Sequence, residues 1–143
     1  MYMSRAAAGF AECRLSELRK RWQSFNEKRD ISSVLVHFDA SLLQLLEGER
    51  SMVEAVYKLI RQDCRHTHIT HLCRETVRDR SFDGLSLAYA SIAPMDAKHL
   101  LASSNQLPPG SDAGVIDADR ARILLFGALN RRRRHPHNLT KVL

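Results

Sequence analysis

The sequence predicts an α+β domain in which one antiparallel-rich sheet carries helices on both of its faces. The chain has 143 residues, of which 44% are apolar and 27% are charged, so it can bury a full core. Segments with apolar residues at helical spacing alternate with short runs that suit strands. One such run, Ser41 to Glu47, is apolar on both faces, and each side of the sheet therefore needs a cover.

The first half of the chain contains an amphipathic helix followed by a hairpin. Leu15, Leu18, Trp22 and Phe25 recur at helical spacing, with charged residues between them. The β-branched run that follows is separated by a tight turn from the apolar run, which predicts two paired strands. The predicted elements are a short strand at 2–4, a helix at 11–29, a strand at 31–37, a turn at 38–40 and a strand at 41–47.

The second half adds one helix and two strands, and then two further helices. Ser51 and Glu54 form a capping box that opens the first of these helices, and Asp117 is a suitable N-cap for the last. The predicted elements are a helix at 51–63, strands at 68–77 and 85–92, and helices at 95–103 and 117–130, the last two joined by a loop at 107–114. The order β-α-β-β-α-β-β begins with the ferredoxin-like arrangement, which places the first two helices on one face. The C-terminal helices would cover the other face.

The positive charge is concentrated at the C-terminus. The net charge is +6, and residues 131–143 hold four arginines, one lysine and no acid, which leaves +1 for the rest of the chain. The excess of positive charge therefore lies in the tail and does not indicate that the folded part of the chain binds nucleic acid. We expect a core at 1–92, a helical extension at 93–130 and a basic tail at 131–143.

The expected compartment is the cytoplasm. The three cysteines are odd in number and scattered, which fits free thiols in a reducing environment. No apolar stretch is long enough to span a membrane, and none near Met1 resembles a signal peptide.

Gln44 is the most unusual residue of the predicted sheet. It lies mid-strand among leucines, on the same face as Leu42 and Leu46. A buried amide must find hydrogen-bond partners or destabilise the fold. It is therefore either a structural glutamine bonded to neighbouring backbone, or a ligand-facing amide that donates and accepts at once.

Two other site types have weaker support. The segment from Cys64 to Cys73 contains His66, His68 and His71, but in a strand His68 would face away from the others. We expect exposed imidazoles there and no metal site. The chain shows no Gly-rich phosphate loop, Ser-His-Asp arrangement or paired-carboxylate site, so we expect no enzymatic activity.

Several sequence motifs occur together along residues 2–92. The strongest is an apolar strand with a central glutamine followed by Leu-Glu-Gly, then a helix ending near an Arg-His pair. The matching segments are Leu42–Glu49, Ile60–His66, Asn26 five residues before Ile31, Tyr2–Ser4 and Arg80–Phe82. These motifs, in this order, resemble those of the BLUF family of flavin-based blue-light sensors.

The resemblance implies a non-covalent FAD site between the first two helices and the sheet. Tyr2, Gln44 and Asn26 would be the photoactive tyrosine, the switching glutamine and the flavin-binding asparagine. Arg65 and His66 would also contact the flavin. Blue light would rearrange the hydrogen bonds of Gln44, and the signal would pass to an unknown protein partner or through a homo-oligomer, with no membrane or nucleic-acid partner.

Two departures from the family pattern support a second interpretation. Ser32–Ser33 stands where the family usually has Thr-Gly, and Leu85–Ser86–Leu87 replaces Trp-Ser-Met. The alternative is a flavin-free, degenerate BLUF-fold protein that serves as an interaction module. A third interpretation, a small nucleic-acid-binding protein, depends only on the arginine tail.

Overall fold

The computed structural model describes residues 1–7, 12–102 and 116–134, with residues 12–16 and 132–134 described by their backbone alone. Five strands and four helices lie in these ranges. They are β1 (Tyr2–Ala6), α1 (Glu12–Glu27), β2 (Ser32–Phe38), β3 (Ser41–Glu47), α2 (Arg50–Gln62), β4 (His66–His71), β5 (Ala88–Ser91), α3 (Pro94–Ala102) and α4 (Ala118–Arg134). The predicted loop at 107–114 and most of the predicted basic tail lie outside the described residues.

The strands form one sheet in the order β4-β1-β3-β2-β5. Neighbouring strands are antiparallel except for β2 and β5, which are parallel. The β2–β3 hairpin turns at Asp39, whose φ of 53° an aspartate tolerates better than most residues. Strand β1 lies in the interior of the sheet and pairs Tyr2 with Gln44 of β3. The predicted element order is confirmed.

Helices cover both faces of the sheet, as the doubly apolar β3 requires. One core packs α1 and α2 against the first face: its buried residues are Tyr2, Ile31, Leu46, Val56 and Ile60, with Trp22, Phe25 and Tyr57 partly buried against them. The other core packs α3 and α4 against the second face. Its buried members include Val34, Val36, Leu43, Ala88, Ala90, Ala97, Ala121, Leu124, Leu125 and Ala128. Because side chains alternate along a strand, Gln44 lies on the α1/α2 face and Leu43 on the α3/α4 face.

Both late strands are shorter than the sequence pattern predicts. The prediction of a strand at 68–77 is wrong: β4 begins at His66 and ends at His71. Among the described strands its one neighbour is β1, in which Tyr2 pairs with His71, so residues 72–77 lie beyond the end of that partner strand. Strand β5 covers only Ala88–Ser91 of the predicted 85–92.

Helix α2 begins differently from the predicted capping box. Glu49 is the N-cap, and its carboxylate accepts hydrogen bonds from the backbone N–H groups of Ser51 (3.1 Å) and Met52 (3.2 Å). Ser51 falls inside the first turn because the helix begins at Arg50. The predicted cap of α4 is confirmed, since Oδ1 of Asp117 accepts from the backbone N–H of Arg120 at 2.9 Å.

Candidate functional site

A tyrosine and a glutamine form a buried pair at the centre of the sheet, on the α1/α2 face. The hydroxyl of Tyr2 donates a hydrogen bond to Oε1 of Gln44. Only 1% of Tyr2 and none of Gln44 is exposed to solvent. The register of β1 against β3 places the two residues directly opposite each other, so backbone pairing alone brings their side chains together.

Ser33 of β2 completes the hydrogen bonding of the Gln44 amide. Nε2 of Gln44 donates to Oγ of Ser33 at 2.8 Å, and Ser33 is itself buried. Each end of the amide therefore meets a hydroxyl, and a hydroxyl can either donate or accept. Rotating the amide by half a turn would exchange its oxygen and nitrogen while both hydrogen bonds could still form.

Burial keeps the Tyr2 phenol protonated. Removal from water raises the pKa of Tyr2 well above its ordinary value of 10.0, and the nearby Tyr57 and Asp63 act in the same direction. The Tyr57 ring lies 5.3 Å from the Tyr2 ring, measured between centroids. At neutral pH Tyr2 is thus a hydrogen-bond donor with a proton available beside an amide oxygen.

His66 begins β4 beside this pair. Its Nδ1 lies 2.9 Å from Oγ of Ser4, and its ring centroid lies 6.4 Å from that of Tyr2. Burial lowers the pKa of His66, only partly opposed by the charge of Asp63, so the imidazole is neutral at physiological pH.

Arg65 is held by its neighbour Asp63. Its Nε donates to Oδ1 of Asp63 at 2.8 Å. Burial raises the pKa of Asp63, but the hydrogen bonds and charge of Arg65 outweigh that effect and keep it below its usual value. The guanidinium carbon of Arg65 lies 5.6 Å from the centroid of the Trp22 ring, which in turn stacks on His66 at 6.0 Å.

Asn26 fixes the end of α1 through hydrogen bonds to two other segments. Its Nδ2 donates to the backbone oxygen of Ser86 at 2.8 Å, and its own backbone oxygen accepts from the N–H of Ile31 at 3.0 Å. The side chain is 1% exposed. Asn26 thereby ties α1 to the segment that enters β5.

The Arg80–Phe82 motif closes the end of the sheet. Arg80 donates two hydrogen bonds to the Asp30 carboxylate, at 3.0 and 2.7 Å, and Phe82 is buried in the α3/α4 core. The Glu47 carboxylate accepts from the backbone N–H groups of Ser81 and Phe82 at 3.0 and 2.9 Å. These bonds anchor the 80–82 turn to β3.

A narrow cleft separates α1 from the sheet near His66. It has a volume of about 30 Å³. Its walls are Leu18, Arg19, Trp22, Leu35, Arg65, His66 and Leu87. This volume corresponds to about one water molecule, whereas pockets for organic ligands enclose roughly 300–1,000 Å³.

Of the five residues named from the sequence, Tyr2 and Gln44 make direct contact, and Arg65 and His66 both line the cleft. Asn26 instead bonds to Ser86. Sequence reasoning missed Ser33 as a partner of Gln44, although its polar side chain in a buried strand was a usable signal. It also assigned Trp22 only to the core stripe.

Two features bear on metal and membrane binding. Across residues 1–7, 12–102 and 116–134, no three histidine, cysteine or acidic side chains are grouped closely enough to hold a metal ion. In the same part of the chain, no helix combines the length and the apolar character needed to cross a bilayer.

Comparison with known proteins identifies the family. The BLUF family profile, described as sensors of blue-light using FAD, matches residues 1–103. The chain therefore belongs to the BLUF family, and blue-light sensing is its class of function. This agrees with the sheet order and with the helices on both faces of the sheet.

Individual relatives agree with this assignment. The chain is similar to the structure titled BlsA ground state, with 26% identity and a TM-score of 0.70, covering 99% of this chain and 93% of that one. BlrB, a BLUF protein in its dark state, gives a TM-score of 0.67 at 20% identity over 88% of this chain and 92% of that one, and shows the fold alone. Photoactivated adenylate cyclase subunit beta from Euglena gracilis is 30% identical over 57% of this chain, a segment that spans only 9% of that protein.

Proposed function

We propose that this protein is a blue-light photoreceptor that binds FAD non-covalently on the α1/α2 face of the sheet and switches by rearranging the hydrogen bonds of Gln44. The observation that carries the proposal is the buried chain of hydrogen bonds from Tyr2 through Gln44 to Ser33. It contains a phenol, an amide and a hydroxyl within one apolar face. Such a chain has two satisfiable arrangements and can serve as a bistable element.

The donor set suits a flavin ring, while the cleft in its present shape does not enclose one. Flavin supplies the blue-light chromophore and an electron acceptor. Tyr2 offers a phenolic proton, Gln44 offers an amide that donates and accepts, and Arg65 offers a cation at the cleft wall. The cleft volume requires at least one wall side chain to move before a ring can enter.

The signal would leave through the opposite face of the sheet. Leu43, adjacent to Gln44 on β3, is fully buried in the core that α3 and α4 share with the sheet. A change in the hydrogen bonds of Gln44 that shifts β3 therefore acts on the packing of Leu124 and Leu125. Leu85 and Leu87 replace the family's usual tryptophan and methionine, so this route does not depend on those side chains.

The output would be a protein–protein contact and not a reaction of this chain. Phe126 on α4 is 43% exposed and Met95 on α3 is 62% exposed. Large apolar side chains at the surface of these two helices offer a contact for a protein partner or a second copy.

The test begins with the absorption spectrum of the protein mixed with FAD and then freed of unbound cofactor. We expect a yellow protein whose flavin band shifts slightly and reversibly to longer wavelength under blue light. Gln44→Leu should abolish the shift, while Gln62→Leu, an exposed glutamine at the end of α2, should leave it unchanged. A normal shift in Gln44→Leu would exclude Gln44 from the switch, and a protein that takes up no flavin would support the flavin-free interaction module.

A second measurement follows the route of the signal. Hydrogen exchange in light and dark should differ mainly in α3 and in the described part of α4, since docked terminal helices open most easily. Equal exchange there, with the flavin shift intact, would place the output elsewhere.

A further inference from the structure

Trp22 is the bulkiest of the side chains that line the cleft, and it is the only tryptophan of the chain. Its indole projects from α1 and stacks on the His66 ring with a centroid distance of 6.0 Å and an angle of 26° between the planes. The Arg65 guanidinium lies on the same indole at 5.6 Å. The three side chains together close the space between α1 and the start of β4.

Three other side chains that line the cleft are held by the sheet or by hydrogen bonds. Leu35 belongs to β2, an interior strand, and is 7% exposed. His66 is bonded to Ser4 at 2.9 Å, and Arg65 is bonded to Asp63 through Nε at 2.8 Å. Trp22 is only partly buried, and its indole is held by the contacts with His66 and Arg65 described above. Leu18 and Leu87 are also only partly buried, but both are smaller than the indole, and Arg19 lies over the Tyr89 ring at 4.6 Å. Rotation of the indole is thus the single side-chain movement that opens the most space in the cleft.

We propose that Trp22 is the gate of the flavin site: its indole occupies space that the isoalloxazine ring needs, and it must leave the face of His66 before the ring can enter. This inference rests on the proposed function, because it concerns the same cofactor. It adds a residue that neither the predicted site nor the Tyr2–Gln44 pair includes.

A gate of this kind weakens cofactor binding because only molecules with the gate open can bind. The apparent dissociation constant equals the intrinsic constant divided by the open fraction. An aromatic stack supplemented by a cation–π contact biases the closed state by about tenfold. Trp22→Ala should therefore bind FAD about tenfold more tightly than the wild type, and Trp22→Phe should lie between the two.

The gate also predicts a kinetic signature. Rotation of a partly exposed side chain is faster than FAD binding, so the association rate constant of the wild type is scaled by the open fraction. Trp22→Ala should therefore raise the association rate constant about tenfold and leave the dissociation rate constant unchanged. A side chain that merely made an unfavourable contact in the bound state would change the dissociation rate constant instead.

The experiment is a stopped-flow titration of cofactor-free protein with FAD, followed by flavin fluorescence, for the wild type, Trp22→Ala and Trp22→Phe. Phe126→Ala is the control, because it removes a partly exposed aromatic ring from the opposite face of the sheet. Circular dichroism and urea unfolding of each variant report whether it is folded, and Trp22→Phe preserves a ring if the alanine variant is unstable.

The outcomes separate the gate from the function. Tighter binding in Trp22→Ala that comes from faster association supports the gate, whereas tighter binding that comes from slower dissociation overturns it. A wild type that binds FAD while Trp22→Ala binds equally well or more weakly overturns the gate and leaves the photoreceptor proposal standing. Failure of both proteins to bind FAD overturns both proposals.

Discussion

The hydrogen bond between Tyr2 and Gln44 can be measured in the cofactor-free protein with a double-mutant cycle. Gln44→Leu leaves the buried hydroxyls of Tyr2 and Ser33 without the partner that each has now. Each unsatisfied buried group costs about 1–3 kcal/mol, and leucine recovers about 1 kcal/mol through its larger apolar surface. We therefore expect Gln44→Leu to lower the free energy of unfolding by about 3 kcal/mol and Tyr2→Phe to lower it by about 1–2 kcal/mol.

The double variant should be less unstable than the sum of the two single variants. When Tyr2 is replaced by phenylalanine, Gln44→Leu no longer leaves a tyrosine hydroxyl without a partner, so the two losses of stability should overlap by about 1–2 kcal/mol. Equilibrium urea unfolding measures this, since a slope of about 2 kcal/mol per molar urea turns a loss of 3 kcal/mol into a midpoint lower by about 1.5 M.

Tyr57 provides a matched control for this cycle. Its ring lies 5.3 Å from the Tyr2 ring, in the same core. Combining Tyr57→Phe with Gln44→Leu should give additive losses within about 0.5 kcal/mol. If the Tyr2 cycle is equally additive, the two side chains do not share a hydrogen bond in solution and the reasoning about the site fails.

Three further predictions concern stability. Burial lowers the pKa of His66, so the unfolded chain takes up a proton first and the free energy of unfolding falls as pH drops below 6.5. His66→Gln should flatten that fall, and an unchanged pH profile of the urea midpoints would contradict the burial of His66. Burial raises the pKa of Tyr2 above 10.0, so above pH 10 the free energy of unfolding of the wild type should fall by up to about 1.4 kcal/mol per pH unit relative to Tyr2→Phe. If the stabilities of the two proteins have the same pH dependence in this range, the phenol is accessible to water. Leu124 is fully buried and Leu59 is 52% exposed, so Leu124→Ala should lower the free energy of unfolding by about 2–5 kcal/mol and Leu59→Ala by much less. Similar thermal midpoints for the two variants would mean that α4 is not docked on the sheet.

The sequence predicted those parts of the fold whose pattern is local. The strand at 41–47 and the helices at 51–63 and 117–130 follow from apolar spacing and turn residues, and they match β3, α2 and α4 closely. Strand β4 was misplaced because the His-Thr-His-Ile-Thr-His run has little apolar periodicity, and its end is set by where β1 stops pairing. Such a limit is a property of the assembled sheet.

The candidate site divides in the same way. Gln44 was evident because a lone amide among leucines is unusual wherever the strand lies. The Ser33 contact depends on the position of β2 beside β3, and the stacking of Trp22 on His66 depends on how α1 rests on the sheet. Neither distance is encoded in the spacing along one element, so both required the tertiary structure.

The interior position of β1 also affects the biosynthesis of this protein. Gln44, the partner of Tyr2, is synthesised 42 residues after it, and the Ser4 contact with His66 spans 62 residues. At a synthesis rate of about 5–20 residues per second, β1 is made seconds before its neighbours β3 and β4. The Tyr2–Gln44 pair therefore cannot form until β3 has been synthesised. A nascent chain that stalls before β4 would carry a β1 with one edge still open, a template for pairing with other chains.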